Sequence, residues 1–203
     1  MACSPILVHG INYITIGMAQ FKILPQTYLL SPLTCFSKKR LFEEICTLAS
    51  SITDIKESIL LQALNERESY GSTVCAKGIG IPHALIDSLD ESLAILTIIQ
   101  KEVPYNTVDT DYMGVDIALA FFLSPKDDYD NVEQMLRIVS RELDNTELAN
   151  SLRRSWQDNN KLILILQKLD ALLNQEFKSA PIKAPTNNSA ANSIMQFIND
   201  AIG

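Results

Sequence analysis

Arg67-Glu-Ser-Tyr-Gly71-Ser-Thr-Val-Cys75-Ala-Lys-Gly78-Ile-Gly80-Ile-Pro-His83-Ala84 is the stretch around which the other residues of this 203-residue chain arrange themselves. It holds three of the seven glycines and one of two histidines, the other being His9 near the start. Gly71 opens a polar Gly-Ser-Thr turn, while Gly78 and Gly80 allow positive φ or close approach to the backbone. Pro82 fixes the chain just ahead of His83 and biases Ile81 towards an extended conformation. The conformational special cases are spent on holding one imidazole at a set angle near a surface. Sixteen positions before it stands Arg67.

Several chemistries use a histidine in such a setting. A Cys75–His83 nucleophilic pair lacks an orienting third residue, and no nucleophile signature surrounds the thiol. Zinc needs about three or four ligands, and two histidines with four scattered cysteines show no ligand spacing, so no metal is expected. The glycines form neither a dinucleotide fingerprint nor a P-loop, because Lys77 precedes Gly78 and no Gly-Lys-Ser/Thr closes the run. No cofactor is implied. What remains is a histidine acting alone as nucleophile and group carrier, with Arg67 as an anion clamp. The plainer alternative is a buried, hydrogen-bonded histidine behind a strand. Residue types alone leave both readings open.

Arg-Glu-x-x-Gly-Ser-Thr from Arg67, followed by Gly-Ile-Gly-Ile-Pro-His-Ala from Gly78, resembles the active-site signature of a known family. These are the fructose/mannitol-type (type 2) enzyme IIA domains of the bacterial phosphoenolpyruvate-dependent phosphotransferase system. The nitrogen-regulatory branch is the most similar, a stand-alone domain whose members often carry a segment like Ser37-Lys38-Lys39-Arg40. The similarity runs from about Pro25 to Leu173. It implies a single α/β domain, a central mixed β-sheet covered by helices on both faces. It also implies that His83 is phosphorylated by a histidine phosphocarrier protein, with Arg67 beside the phosphoryl group. On the same footing, Gly71, Ser72, Thr73, Gly78 and Gly80 form the phosphate-binding loops.

Two departures from the family stand out. Where it commonly reads Gly-x-Gly, this chain has Val74-Cys75-Ala76-Lys77-Gly78, a stiffer loop. Many members also place a second histidine at the start of a later helix. Here that helix begins Asp130-Asn131-Val132-Glu133-Gln134, with Val132 at the matching position. The resemblance implies a phosphohistidine carrier that signals by phosphorylation-dependent protein binding. One rival is a sugar-specific enzyme IIA passing phosphate to an enzyme IIB. The other is a binding module that keeps the fold without phosphate turnover, which the missing second histidine favours.

Composition sets outer bounds. A net charge of −7 argues against nucleic acid as a partner. No apolar run approaches the ~20 residues that span a bilayer, so no membrane insertion is expected. Cysteines at positions 3, 35, 46 and 75 show no disulfide framework, which fits a reducing compartment and hence the cytoplasm. Residues 1–24 read as an N-terminal extension, with Met18 a candidate start and His9 given no role. Residues 25–174 read as the enzyme IIA domain, and 175–203 as a flexible linker with a short amphipathic tail.

Within the domain, Tyr28 to Phe36 reads as an extended lead-in interrupted by Pro32. Ser37 caps a helix with Leu41, Phe42, Ile45, Leu48 and Ala49 on one face. Lys38, Lys39 and Arg40 in its first turn oppose the helix dipole by ~0.3–1 kcal/mol. They read as a solvated end or as a dock for an acidic partner. Asp54 with Glu57 resembles a capping box, opening a helix with Ile55, Ile59, Ala63 and Leu64 inward and its end near Arg67. Leu93–Ile99 and Val115–Leu123 read as central strands. The loop Lys101–Gly114 between them carries Tyr105 and Tyr112, either partner-facing or buried anchors. Asp130 with Glu133 resembles a second capping box, and the stripe Val132, Met135, Leu136, Val139, Leu143 puts Val132 inward, near His83. Helices near 146–154 and 159–173 follow, with Trp156 packing between them.

Overall fold

A computed structural model describes residues 6–8, 11–13, 21–105 and 114–179. His9, Tyr112 and the amphipathic tail lie outside the described residues. Two short strands, β1 (Ile6–Val8) and β2 (Ile11–Tyr13), pair antiparallel as a ribbon of their own.

The main sheet is built from β3 (Gln26–Leu33), β4 (Val74–Ala76), β5 (Gly78–Gly80), β6 (His83–Leu85), β7 (Leu93–Pro104) and β8 (Gly114–Leu123). Its order is β3-β7-β8-β5-β4, with β6 also pairing β8. β7 and β8 run antiparallel at the centre, while β3 joins β7, and β5 and β6 join β8, in parallel. The sheet is therefore mixed. The unbroken apolar runs in β7 and β8 follow from cover on both faces. Alternate residues enter two separate cores. Leu93, Ile95, Val115 and Phe122 pack with α1 (Lys38–Thr53) and α2 (Glu57–Ser69). Ala94, Leu96, Ile117 and Phe121 pack with α3 (Tyr129–Asp144), α4 (Thr146–Arg154) and α5 (Asn159–Ser179). Each buried leucine, isoleucine or phenylalanine contributes about 1.5–3 kcal/mol to this sandwich.

Several local expectations are corrected. The extended lead-in is a full sheet strand, and its register with β7 shifts between Leu30 and Leu33, where Pro32 lacks an N–H. Asp54 does not cap α2. It ends α1 in the left-handed region at φ 59°, and Lys56 precedes α2 without a side-chain cap. Ile59 is exposed, while Leu60 takes the inward position. Asp128, not Asp130, caps α3 by accepting from the Asn131 N–H. The expected loop at Lys101 begins later, since β7 continues through Pro104, and Tyr105 is a fully buried anchor.

The domain also extends past both expected boundaries. α5 continues to Ser179. At the other end, the buried Asp170 carboxylate accepts the backbone N–H groups of Lys22, Ile23 and Leu24, each at 2.8 Å. That triple bond set ties the chain entering β3 to α5.

Candidate functional site

β5 and β6 lie end to end along β8, interrupted at Ile81-Pro82. Proline cannot donate to the ladder, but its carbonyl accepts from the Phe121 N–H at 2.8 Å and keeps the line in register. His83 then pairs with Phe121. Its side chain meets the C-terminal turn of α2, where Arg67 stands. Arg67 Nε donates to His83 Nε2 at 3.0 Å, and Arg67 Nη1 donates to the Gly71 carbonyl at 3.1 Å. On the other side of the ring, Nδ1 lies 2.8 Å from the Ile81 carbonyl.

These partners fix the protonation state. A guanidinium only donates, so Nε2 must carry a lone pair; a carbonyl only accepts, so Nδ1 must carry the proton. The ring is neutral. Burial pushes its pKa down, the Arg67 charge adds to this, and the Ile81 carbonyl opposes it, leaving a value of about 4. The residue is 1% exposed, against the expectation of an imidazole near a surface. Arg67 is buried as well, and burial lowers its own pKa. Among the described residues no carboxylate forms a salt bridge with it, and its hydrogen bonds go to neutral acceptors. The neighbouring Glu68 charge partly offsets that burial, and in this structure the Nε2 electron pair is taken up by Arg67 Nε.

The remaining predicted residues divide into two groups. Gly71 supplies the carbonyl that holds Arg67, and Ser72 Oγ accepts from the Val74 N–H at 3.3 Å. Thr73 is fully buried, and Gly80 packs against the Tyr105 ring beneath this turn. Gly78 is elsewhere. It pairs with Val115, six positions along β8 from Phe121, or about 20 Å at ~3.3 Å per residue. There it adopts φ +82°, and an added Cβ would lie 2.5 Å from Arg153 Nη2. Its role is to admit the Arg153–Asp116 pair, in which Nε and Nη2 reach the two carboxylate oxygens at 2.6 and 2.8 Å. Gly78 therefore lies apart from the Arg67–His83 pair.

Val132 packs against the α3–α5 core from the inward face of its helix. It lines a cleft of about 500 Å³ with Lys22, Asp90, Leu123, Asp127 and Met135, and the lining of that cleft does not include His83. The Cys75 thiol is raised to about 11, chiefly by burial, and its hydrogen bond goes to the Ile79 carbonyl. It forms no pair with His83. Sequence reading also missed a group of side chains at the same turn. Glu68, Thr73, Tyr105 and Lys38 are joined there, and only the adjacency of Glu68 to Arg67 signalled it. Lys38 is not a solvated end: its Nζ lies 3.4 Å from Glu68 Oε1 and 5.0 Å from the Tyr105 ring centroid. Arg40 pairs with Glu43 and Glu44 on its own helix.

Comparison with known proteins supplies the family and the fold. The family described as "Phosphoenolpyruvate-dependent sugar phosphotransferase system, EIIA 2" matches residues 22–169. The chain belongs to this family. Among relatives of the enzyme IIA chain, a nitrogen regulatory protein of Klebsiella oxytoca is 31% identical over 136 residues, 67% of this chain and 83% of the relative. The Escherichia coli K12 nitrogen regulatory protein is 31% identical over 124 residues, 61% and 75% of the two chains. Two solved structures share the enzyme IIA fold. Nitrogen regulatory protein IIA-Ntr from Neisseria meningitidis superposes with a TM-score of 0.60 at 22% identity, covering 70% of this chain and 96% of that one. The mannitol IIA protein of E. coli gives 0.55 at 13% identity, covering 68% and 94%. Among the described residues, no helix is long and apolar enough to cross a membrane.

Proposed function

We propose that this enzyme IIA domain is a regulatory phosphohistidine carrier in which His83 Nε2 accepts a phosphoryl group from a histidine phosphocarrier protein. The observation that carries the reading is the buried Arg67, which forms no salt bridge among the described residues, donating to the lone pair of a neutral imidazole. In the transfer, the Nε2 electron pair forms the new N–P bond. The donor's P–N bond breaks, and its electron pair returns to the donor ring. The accepting ring gains positive character, which the Ile81 carbonyl stabilises through Nδ1–H. Arg67 exchanges its ring nitrogen for a phosphoryl oxygen, converting a neutral hydrogen bond into a charge-assisted one. Exchange between two imidazoles is nearly balanced, so the protein contributes mainly position and charge. No step calls for a metal or cofactor.

The relatives named nitrogen regulatory proteins support a regulatory output, through proteins that distinguish the two phosphorylation states. They weigh against a sugar-specific enzyme IIA. A second reading, a binding module without phosphate turnover, is favoured by one observation: His83 is buried and its Nε2 is covered by Arg67. Incubation with phosphoenolpyruvate and the upstream phosphocarriers separates the two. One acid-labile phosphoryl group by intact mass, absent in His83→Ala, is expected. A folded wild-type protein that takes up none would establish the binding module instead.

A further inference from the structure

Arg67 accounts for one nitrogen of the imidazole. The other is reached from the next residue along the chain. The Glu68 side chain is 6% exposed, and its Oε2 accepts from Thr73 Oγ1 at 2.7 Å and from the Thr73 N–H at 3.2 Å. The Thr73 carbonyl accepts from the Ile81 N–H at 2.8 Å. The Ile81 carbonyl in turn accepts from His83 Nδ1 at 2.8 Å. A carboxylate only accepts, so the Thr73 hydroxyl must aim its proton at Glu68 and take that of Tyr105, whose hydroxyl lies 2.9 Å away. Phe42 packs edge-on against Tyr105, and Lys38 reaches both Glu68 and the Tyr105 ring. Glu68, Thr73 and Tyr105 are thus joined in one line of hydrogen bonds, with Lys38 on the carboxylate.

We propose that Glu68 is a positioning residue for phosphoryl transfer at His83, acting through Thr73 and the Ile81 peptide. The inference rests on the phosphoacceptor reading and deepens it. While Arg67 sits on Nε2, it alone suffices to select the Nδ1–H tautomer. For a phosphorus atom to approach Nε2, Arg67 must leave that line. At that moment the Ile81 carbonyl still holds both the ring angle and the proton, and Glu68 fixes that carbonyl by anchoring the Thr73 segment against which Ile81 is bonded. A ring that rotates or takes the Nε2–H form during this interval presents no electron pair. Two consecutive residues at the end of α2 therefore govern the two ring nitrogens.

The test uses the full chain with ¹⁵N-labelled histidine, comparing wild type with Thr73→Val, Glu68→Gln and Thr73→Ser. Ring ¹⁵N shifts and Nδ1–H exchange report the tautomer and its hold. A small phosphoramidate donor, which needs no docking surface, reports phosphoryl acceptance. Thr73→Val and Glu68→Gln are expected to speed Nδ1–H exchange and slow phosphorylation about tenfold or more, the scale of a sub-ångström misplacement. Thr73→Ser is expected to recover most of the rate. Two disruptive variants are used so that misfolding of one leaves the other informative. Folded variants with unchanged ring signals and unchanged rate, and only a lowered Tm, would overturn the proposal. A wild-type protein that accepts no phosphoryl group from either phosphoramidate or phosphocarrier, while its ring signals still respond to Thr73→Val, would overturn the phosphoacceptor reading and uphold the Glu68 link.

Discussion

Lowering the pH from 7.5 to 4.5 sets the neutral, buried His83 against its own protonation. The folded-state pKa is about 4, against 6.5 for a free side chain. A histidine with a depressed folded pKa stabilises the fold fully above the unfolded value. That contribution is lost as pH falls, because the unfolded chain binds a proton that the folded one refuses. At pH 4.5 the unfolded imidazole is almost wholly protonated and the folded one mostly neutral, which corresponds to about 2–3 kcal/mol lost relative to pH 7.5. The chain's 24 acidic residues titrate over the same range, so wild type alone is uninformative. Urea unfolding of wild type and His83→Gln across this range isolates the term, since glutamine does not titrate. The stability of wild type relative to the variant should fall by about 2–3 kcal/mol between pH 7.5 and 4.5. A difference that stays flat, or grows as pH falls, would show that the ring is not held neutral and would remove the physical basis of the nucleophile.

Arg67→Lys keeps the charge but loses the planar fork that spans Nε2 and the Gly71 carbonyl. Phosphoryl acceptance from the phosphocarrier should drop by about 10²–10³, the scale of a lost anion-binding donor, at unchanged far-ultraviolet circular dichroism. Gly78→Ala forces a side chain into positive φ against Arg153, and should cost about 1–3 kcal/mol in urea unfolding with little change in the phosphorylation rate. Asp170→Ala orphans three backbone N–H groups in the segment entering β3, and should cost about 3 kcal/mol or more by the same assay.

The fold was legible where periodicity and burial agree. The runs in β7 and β8 read directly as central strands because both faces are covered, and the family signature supplied the architecture around them. Helix starts were less legible. Asp54 and Asp130 have the right residues three positions on, yet each is displaced by a competing local solution, a left-handed helix end and an earlier aspartate cap. A capping-box pattern does not specify its own register. At the site, the Arg67–His83 pair was readable from spacing with the resemblance, but its burial was not. Nor was the partition of the glycines, since only the strand register shows that Gly78 lies far along β8 from the imidazole. Tyr105 sits more than twenty positions from His83, and no local pattern joins it to Thr73.

Burial keeps His83 neutral and also inaccessible, so something must open. Moving β6 would break its pairing with β8 and unpack Ile81, which is fully buried. Moving the turn after Arg67 costs much less. Its bonds are the Tyr70 and Gly71 N–H contacts to the carbonyls of Arg67 and Glu68, at 3.2 and 3.4 Å, the Arg67–Gly71 bond, and the Val74 N–H donated to Ser72 Oγ at 3.3 Å. The neutral ones contribute about 1 kcal/mol each and the guanidinium bond about 1.5–3, and water replaces part of that at once. Tyr70 and Gly71 are exposed, and nothing lies within 4 Å of the space a Gly71 side chain would fill. Access to Nε2 is therefore expected through Tyr70-Gly71-Ser72, with Glu68 and Thr73 as the fixed edge of the opening. Amide hydrogen exchange decides between the two routes: Tyr70 and Gly71 should exchange orders of magnitude faster than His83 to Leu85. Comparable exchange across both segments would mean that the sheet edge itself opens, and that Glu68 anchors a part which moves.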